Sequence, residues 1–298
     1  MIRLALVLLL VSVSVIAQDE VEERILRVRT QLVNVLVSVV DQRGNLVKGL
    51  TRDDFEILED GVRQEINLFG HSDTVPLRMA VLIDLSLSVK PRLKFQKEAA
   101  EKFFKSVLRP TDTAALFSFN HDVTLEQDFT SDKKALISAL KRLKSGGGTA
   151  LYDAIYLAAQ RLSRSTSGRR VMVILSDGIN TVSKTTLDAA LRMTERAEAV
   201  IYGIYTVNRL PEEPTVVAGE NLLKQLCERT GGQVFFPSDS YVLEEVFEQL
   251  SQVLRAQYLI SFYSNSERND GSYRRIEVQV KDPTLKVRSR AGYYAPKD

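Results

Sequence analysis

Residues 77–88 read LRMAVLIDLSLS. Apart from Arg78, the run to Ile83 is apolar and shows no regular alternation. A strand with one wet face alternates; a strand covered on both faces does not, and the second pattern belongs to parallel sheets clothed by helices. Three more runs share it: TAALFSF at 113–119, VMVILSD at 171–177 and AVIYGIY at 199–205. Helical patterns separate them. Residues 91–108 set Phe95, Ala99, Phe103 and Val107 four apart, with Lys94, Lys97 and Lys105 on other faces. Residues 149–162 repeat this with Leu151, Ile155, Ala158 and Leu162, and 187–197, 221–228 and 242–254 are further helix candidates. Strands alternating with helices predict an α/β fold over 77–256, with a doubly wound, mainly parallel sheet and right-handed crossovers.

The flanks read differently. Val33, Val35, Val37 and Val39 share one face with Asn34 and Ser38 opposite, a half-buried strand. Residues 55–58 and 62–69 flank Asp60-Gly61, a hairpin signal, giving three short antiparallel strands within 31–76. Alternation returns in 257–298: YLISFY, then Ile276, Val278 and Val280, then Leu285 and Val287. Neither flank has enough strands to bury both faces alone. They are expected to pair into one small antiparallel β-sandwich into which the α/β domain is inserted.

Residues 1–17, MIRLALVLLLVSVSVIA, have a basic start, an apolar run and small residues Val15 and Ala17 before Gln18, which reads as a secretory signal peptide. The alternative is an uncleaved anchor helix, for which the run is short against the ~20 residues of a membrane span. Residues 18–30 are a charged linker, and no second long apolar run implies a membrane span after cleavage. The chain of 298 residues is 44% hydrophobic and 26% charged, which excludes a disordered or collagen-like polymer. Forty Lys and Arg against 38 Asp and Glu carry no nucleic-acid signature. One Cys excludes an internal disulfide or a CxxC pair, and two His leave little for a zinc site or a His-based triad. Export without disulfides fits a bacterial periplasm or secretion from a bacterium.

Chemistry concentrates where the apolar runs end. Asp84-Leu85-Ser86-Leu87-Ser88 offers one carboxylate and two hydroxyls at alternate positions. Gly146-Gly147-Gly148-Thr149 presents a hydroxyl where a Gly-rich loop enters a helix, and Ser176-Asp177-Gly178 a carboxylate where VMVILS ends. Each alone has an ordinary reading: a helix cap, a connector, a turn. Together they occupy the carboxyl ends of strands or adjacent helix entries, where open α/β sheets form their ligand crevice. Such oxygens are hard ligands suited to Mg²⁺, with Mn²⁺ or Ca²⁺ as alternatives.

This constellation resembles the von Willebrand factor A family and its metal-ion-dependent adhesion site. DLSLS supplies Asp84, Ser86 and Ser88, GGGTALYDAIY supplies Thr149 and ILSDG supplies Asp177, over roughly 77–256. The flanking LTRDDFEILEDG and RAGYYAP resemble exported bacterial members of the family, abundant in acidobacteria. The resemblance implies that Ser86 and Ser88 ligate the metal directly, Thr149 in a state-dependent manner, and that Asp84 and Asp177 orient from outside. It also implies a coordination position open to an Asp or Glu carboxylate of a partner protein, serving adhesion or complex assembly.

The competing reading is a structural or chaperone-like envelope component whose metal only stabilises loops. Catalysis is not expected. Phosphotransferases with an aspartate nucleophile after a strand need a second carboxylate two residues on, where Ser86 stands, and no P-loop or dinucleotide fingerprint appears. Asp153 reads as a solvated carboxylate near a helix start, with orientation of the site loop as the alternative; His121 reads as a polar loop residue, His71 as linker and Cys227 as a small buried apolar residue. Lys133, Lys134, Lys141, Arg142 and Lys144 read as a solvated face. The oligomeric state leaves no mark in the sequence.

Overall fold

The computed structural model of the chain describes residues 32–165, 168–206, 214–237, 242–266 and 269–297. The expected signal peptide, 1–17, and linker, 18–30, lie outside them. The first strands are β1 (Leu32–Val40), β2 (Phe55–Glu59), β3 (Val62–Gln64) and β4 (Leu68–His71). The single strand expected over 62–69 is thus two, and they belong to different sheets. Between them Ile66 is buried at 6% exposure, so the chain crosses the core where one continuous strand was expected. His71 ends β4 with its ring 5.3 Å from that of Tyr258, within the sandwich rather than in a linker.

The α/β block follows as β5 (Leu77–Asp84), α1 (Leu93–Val107), β6 (Thr113–Phe119), β7 (Val123–Thr130), α2 (Lys133–Arg142) and α3 (Leu151–Ser163). It continues with β8 (Arg169–Ser176), α4 (Leu187–Arg196), β9 (Val200–Tyr205), α5 (Pro214–Thr230), β10 (Val234–Phe235) and α6 (Val242–Arg255). These strands form a six-stranded sheet in the order β10-β9-β8-β5-β6-β7, with only the β6–β7 pairing antiparallel. Successive residues of β5 go to opposite cores. Met79, Val81 and Ile83 pack with α1, α2 and α6, whereas Ala80 and Leu82 pack with α3, α4 and α5. Burial on both faces is why LRMAVLID lacks alternation.

The chain closes with β11 (Tyr258–Tyr263), β12 (Tyr273–Val280), β13 (Lys286–Arg288) and β14 (Gly292–Tyr294). Two four-stranded antiparallel sheets result, β13-β1-β11-β4 and β14-β12-β2-β3, each mixing strands from both flanks. Val33, Val35 and Val37 oppose Phe262, Ile260 and Tyr258, and all six are buried against Ile57, Ile276 and Val278 of the other sheet. The sandwich with its inserted α/β domain is therefore as expected. Among the described residues no helix is long and apolar enough to cross a membrane.

A buried polar knot joins the two layers. Arg169, first in β8, donates from Nη1 to Ser72 Oγ at 2.9 Å, Leu254 O at 2.7 Å and Gln257 Oε1 at 3.2 Å. Gln257 Nε2 then donates to Tyr202 OH at 3.1 Å and Ser38 Oγ at 3.3 Å. The sandwich thus abuts the amino-terminal edge of the parallel strands. Their carboxyl ends, with the candidate residues, lie at the opposite edge.

Candidate functional site

Strand β5 delivers Asp84 at its last position, fully buried. Asp84 Oδ1 accepts the Ser86 backbone N–H at 2.8 Å, which curls the loop back on the strand end, and Oδ2 accepts the Ser176 hydroxyl at 2.6 Å. That curl brings the hydroxyls together: Ser86 Oγ and Ser88 Oγ are 3.0 Å apart. Ser88 Oγ donates onward to Asp177 Oδ2 at 2.5 Å, across 89 residues of sequence. Asp84, Ser86, Ser88 and Asp177 thus form one hydrogen-bonded set. Asp84, Ser86 and Asp177 are buried and Ser88 is exposed, so the set meets solvent at one serine.

Thr149 stands on the adjoining loop, buried, outside the hydrogen bonds that join the other four. Its loop is nonetheless fixed. Gly146 N–H donates to Leu85 O at 2.7 Å, and Thr149 N–H to Thr181 Oγ1 at 2.8 Å. At Gly147, with φ +84°, an added Cβ would lie 3.3 Å from the His121 backbone nitrogen. Gly148 is as tight, with an added Cβ 3.1 Å from Thr181 Oγ1, whereas Gly146 has open space around it.

Burial pushes the Asp84 carboxyl up to about 6, bonds from Ser176 and Ser86 act against that, and the Asp177 carboxylate nearby adds to it. Among the described residues no Lys, Arg or His pairs with either carboxylate. Nor do three His, Cys, Asp or Glu side chains gather as a metal group among them. Any cation here would rest on a mixed set of hydroxyls and carboxylates, the donor chemistry of a hard divalent ion. Two buried negative charges without a basic partner fit such an ion.

Several site-building residues escaped the sequence reading. Ser176 looked like a strand residue, yet it is the donor that orients Asp84. Helix α3 has Ala150 at its N-cap and so no side-chain cap of its own. Asn180 Oδ1 supplies one from the loop after β8, accepting Leu151 N–H at 3.1 Å, and Ser183 Oγ accepts Tyr152 N–H at 3.0 Å. The hydroxyl- and amide-rich run Asn180-Thr181-Val182-Ser183 was the available signal. Asp153, half-buried, takes the loop-orienting role that was the alternative to a solvated carboxylate: it accepts Lys184 N–H at 2.9 Å and Thr185 N–H at 2.7 Å, clamping the same loop to α3. Asn180→Ala is expected to cost about 1 kcal/mol, the value of a lost helix cap. Urea unfolding would read it as a lower midpoint at unchanged slope.

His121 is exposed with Nδ1 3.8 Å from Asp122, Cys227 is fully buried, and Lys134, Lys141, Arg142 and Lys144 are exposed.

Residues 79–180 match the von Willebrand factor type A domain, a span that holds all five candidate positions. An uncharacterized protein of Borreliella burgdorferi is 22% identical over 214 residues, covering 64% of this chain and 61% of that protein. A UPF0353 protein of Mycolicibacterium gilvum is 23% identical over 214 residues, covering 61% and 62%. The chain therefore spans about three fifths of the length of the curated relatives it matches. Among solved structures, a von Willebrand factor type A protein from Catenulispora acidiphila superposes with TM-score 0.52 at 15% identity over 91% of this chain and 75% of that one. The D319A mutant of the PilB minor pilin from Streptococcus sanguinis gives 0.50 at 10% identity over 61% and 62%. These likenesses are of fold.

Proposed function

We propose that this chain binds a partner protein through a divalent-metal site, Mg²⁺ in the first place, held by Asp84, Ser86, Ser88, Thr149 and Asp177 as an intact metal-ion-dependent adhesion site. The supporting observation is the hydrogen-bonded set of Asp84, Ser86, Ser88 and Asp177, doubly acidic, without a basic partner among the described residues, and open to solvent at Ser88. Ser86 and Ser88 would hold the ion directly and Thr149 in a state-dependent way. Asp84, itself oriented by Ser176, and Asp177 would align the serines from outside. When bound, the ion supplies a Lewis-acidic position, incompletely offset by neutral hydroxyls, for an Asp or Glu carboxylate of the partner. No catalytic step belongs to this reading.

Adhesion or complex assembly outside the cytoplasm, in the periplasm or after secretion, is the reading that the proposed leader at 1–17 supports, with the looser resemblance of the flanks to exported acidobacterial proteins beside it. A minor pilin, PilB of Streptococcus sanguinis, stands among the fold neighbours. The loops around the site are already tied by Gly146, Thr149, Asn180 and Asp153 through bonds that need no ion, which weighs against a metal that only staples loops.

Leu87, between the two serines, is 61% exposed and offers an apolar contact beside the proposed coordination position. Ser86→Ala is expected to abolish Mg²⁺ binding in calorimetry and Mg²⁺-dependent retrieval of a partner from an envelope extract, with the melting temperature nearly intact. An equal fall in melting temperature would favour the loop-staple reading instead. Leu87→Ala is expected to leave Mg²⁺ binding alone and weaken partner binding by about tenfold, the value of roughly 1.5 kcal/mol of leucine burial. Undiminished partner affinity in that variant would place the contact elsewhere.

A further inference from the structure

Strand β8 runs from Arg169 to Ser176, so its two ends are about 23 Å apart at ~3.3 Å per residue. Asp177 follows one end. At the other, between the sheet edge and the sandwich, lies a cavity of about 260 Å³. It shares Asn34, Arg170, Glu195, Glu198 and Arg290 with an outer cleft of about 660 Å³, which gives it a mouth. Four arginines line it, Arg169, Arg170, Arg229 and Arg290, against two glutamates.

The hydrogen bonds do not balance. Glu195 Oε1 takes Arg229 Nε at 2.7 Å, and Glu198 takes Arg170 Nη1 at 3.5 Å and Arg290 Nη1 at 3.4 Å. Arg169 commits Nη1 to the junction knot. Among the described residues, four buried donors around the cavity remain without an acceptor: Nε and Nη2 of Arg290, Nη2 of Arg169 and Nε of Arg170. One buried acceptor there, Glu195 Oε2, remains without a donor among them. Arg169 and Glu195 are 5% and 7% exposed, so bulk water does not bathe them.

On a guanidinium, Nε–H and Nη2–H lie side by side on the edge that grips a carboxylate or phosphate with two parallel bonds. Arg290 therefore presents that whole edge unused, while its other side is committed to Glu198. Its Cζ lies 5.5 Å from the Tyr293 ring centre, which helps fix the plane. Burial lowers Arg290 and pushes Arg169 down to about 10, where Arg169 is still charged at neutral pH. Water could satisfy the N–H groups but would leave two surplus positive charges buried, which is costly. An anion answers both.

We propose that this junction cavity binds a small free oxyanion, a phosphate or a carboxylate, gripped by the open edge of Arg290 together with Arg169 and Arg170. Glu195 Oε2 adds a requirement: the ligand also carries a hydrogen-bond donor, as hydrogen phosphate and hydroxycarboxylates do. Its attachments would span β8, α4 and the stretch before β14, tying the sandwich to the sheet.

The test is calorimetric titration of the full chain with inorganic phosphate, lactate and acetate, with chelator present and chloride holding ionic strength constant. Phosphate or lactate is expected to bind saturably and acetate, which lacks a donor, more weakly. A tighter phosphate marks a phosphoryl ligand, and a tighter lactate a hydroxycarboxylate. Arg290→Lys keeps the charge beside Glu198 but loses the two-pronged edge, so affinity is expected to fall about tenfold or more. Should that variant fail to fold, Arg170→Lys removes an open Nε and is expected to fall in the same direction. Ser86→Ala is expected to bind as the wild type does, which separates this site from the metal site. Absence of saturable binding by any of the three anions, or unchanged affinity in a folded Arg290→Lys protein, overturns the proposal.

Discussion

Gly178→Ala is expected to destabilise the protein by roughly 2–4 kcal/mol, the sum of left-handed backbone strain and overpacking. Gly178 has φ +76°, and its added Cβ would lie 2.1 Å from the carbonyl oxygen of Gly219 and 2.9 Å from Leu223 Cγ. The contact is reciprocal, because a Cβ on Gly219 would fall 2.2 Å from Asp177 O. Two backbones touch there, so no side chain can swing aside. Helix α5 would have to retreat, drawing Leu223, Leu226 and Cys227 out of the core they share with β5 and β8. The nearest backbone to move is that of Asp177, so the candidate site is expected to loosen with the fold. Gly44→Ala is the control: φ is +85° but nothing lies within 4 Å, leaving only about 1 kcal/mol of backbone strain. Urea midpoints for the two variants should differ by more than either error; equal midpoints would mean that α5 yields freely.

That contact also marks what the sequence could and could not announce. The buried strands were legible because burial on both faces erases alternation, as LRMAVLID does. Strand β7, VTLEQDFT, was not, since an edge strand keeps polar residues outward and even Leu125 is 41% exposed. Asp84, Ser86, Ser88 and Asp177 could be read because each follows a recognisable strand end, where α/β sheets collect ligands. The roles of Ser176, Asn180 and Ser183 could not, because their partners come from other elements and nothing local requires them; Asp153 showed only as an alternative, one turn into its helix. The junction arginines were equally silent. Arg169, Arg170, Arg229 and Arg290 sit on unrelated segments, and only the fold brings them to one cavity.

Asp177→Asn is expected to reverse the order of stabilities with and without Mg²⁺. Without the ion, two buried carboxylates lie near one another with no basic partner among the described residues, and the Asp177 charge disfavours ionised Asp84. An asparagine of the same shape removes that repulsion. Its carbonyl oxygen can still accept one of the two bonds Asp177 takes, from Ser88 Oγ at 2.5 Å or Ile179 N–H at 3.0 Å. The metal-free variant should therefore melt about 2 °C higher, as roughly 0.5–1 kcal/mol implies for a chain of this size. At an Mg²⁺ concentration about 100 times its Kd, the wild type should gain about 2.7 kcal/mol by mass action. Loss of an orienting carboxylate commonly weakens metal binding 10–100-fold, so the variant should gain only about 0.4–1.4 kcal/mol at the same concentration. The two melting curves should then cross as Mg²⁺ is added. A carboxylate that merely braced the loop would behave otherwise: its replacement would lower the metal-free melting point and leave any Mg²⁺ increment in place. That pattern would remove Asp177 from the site.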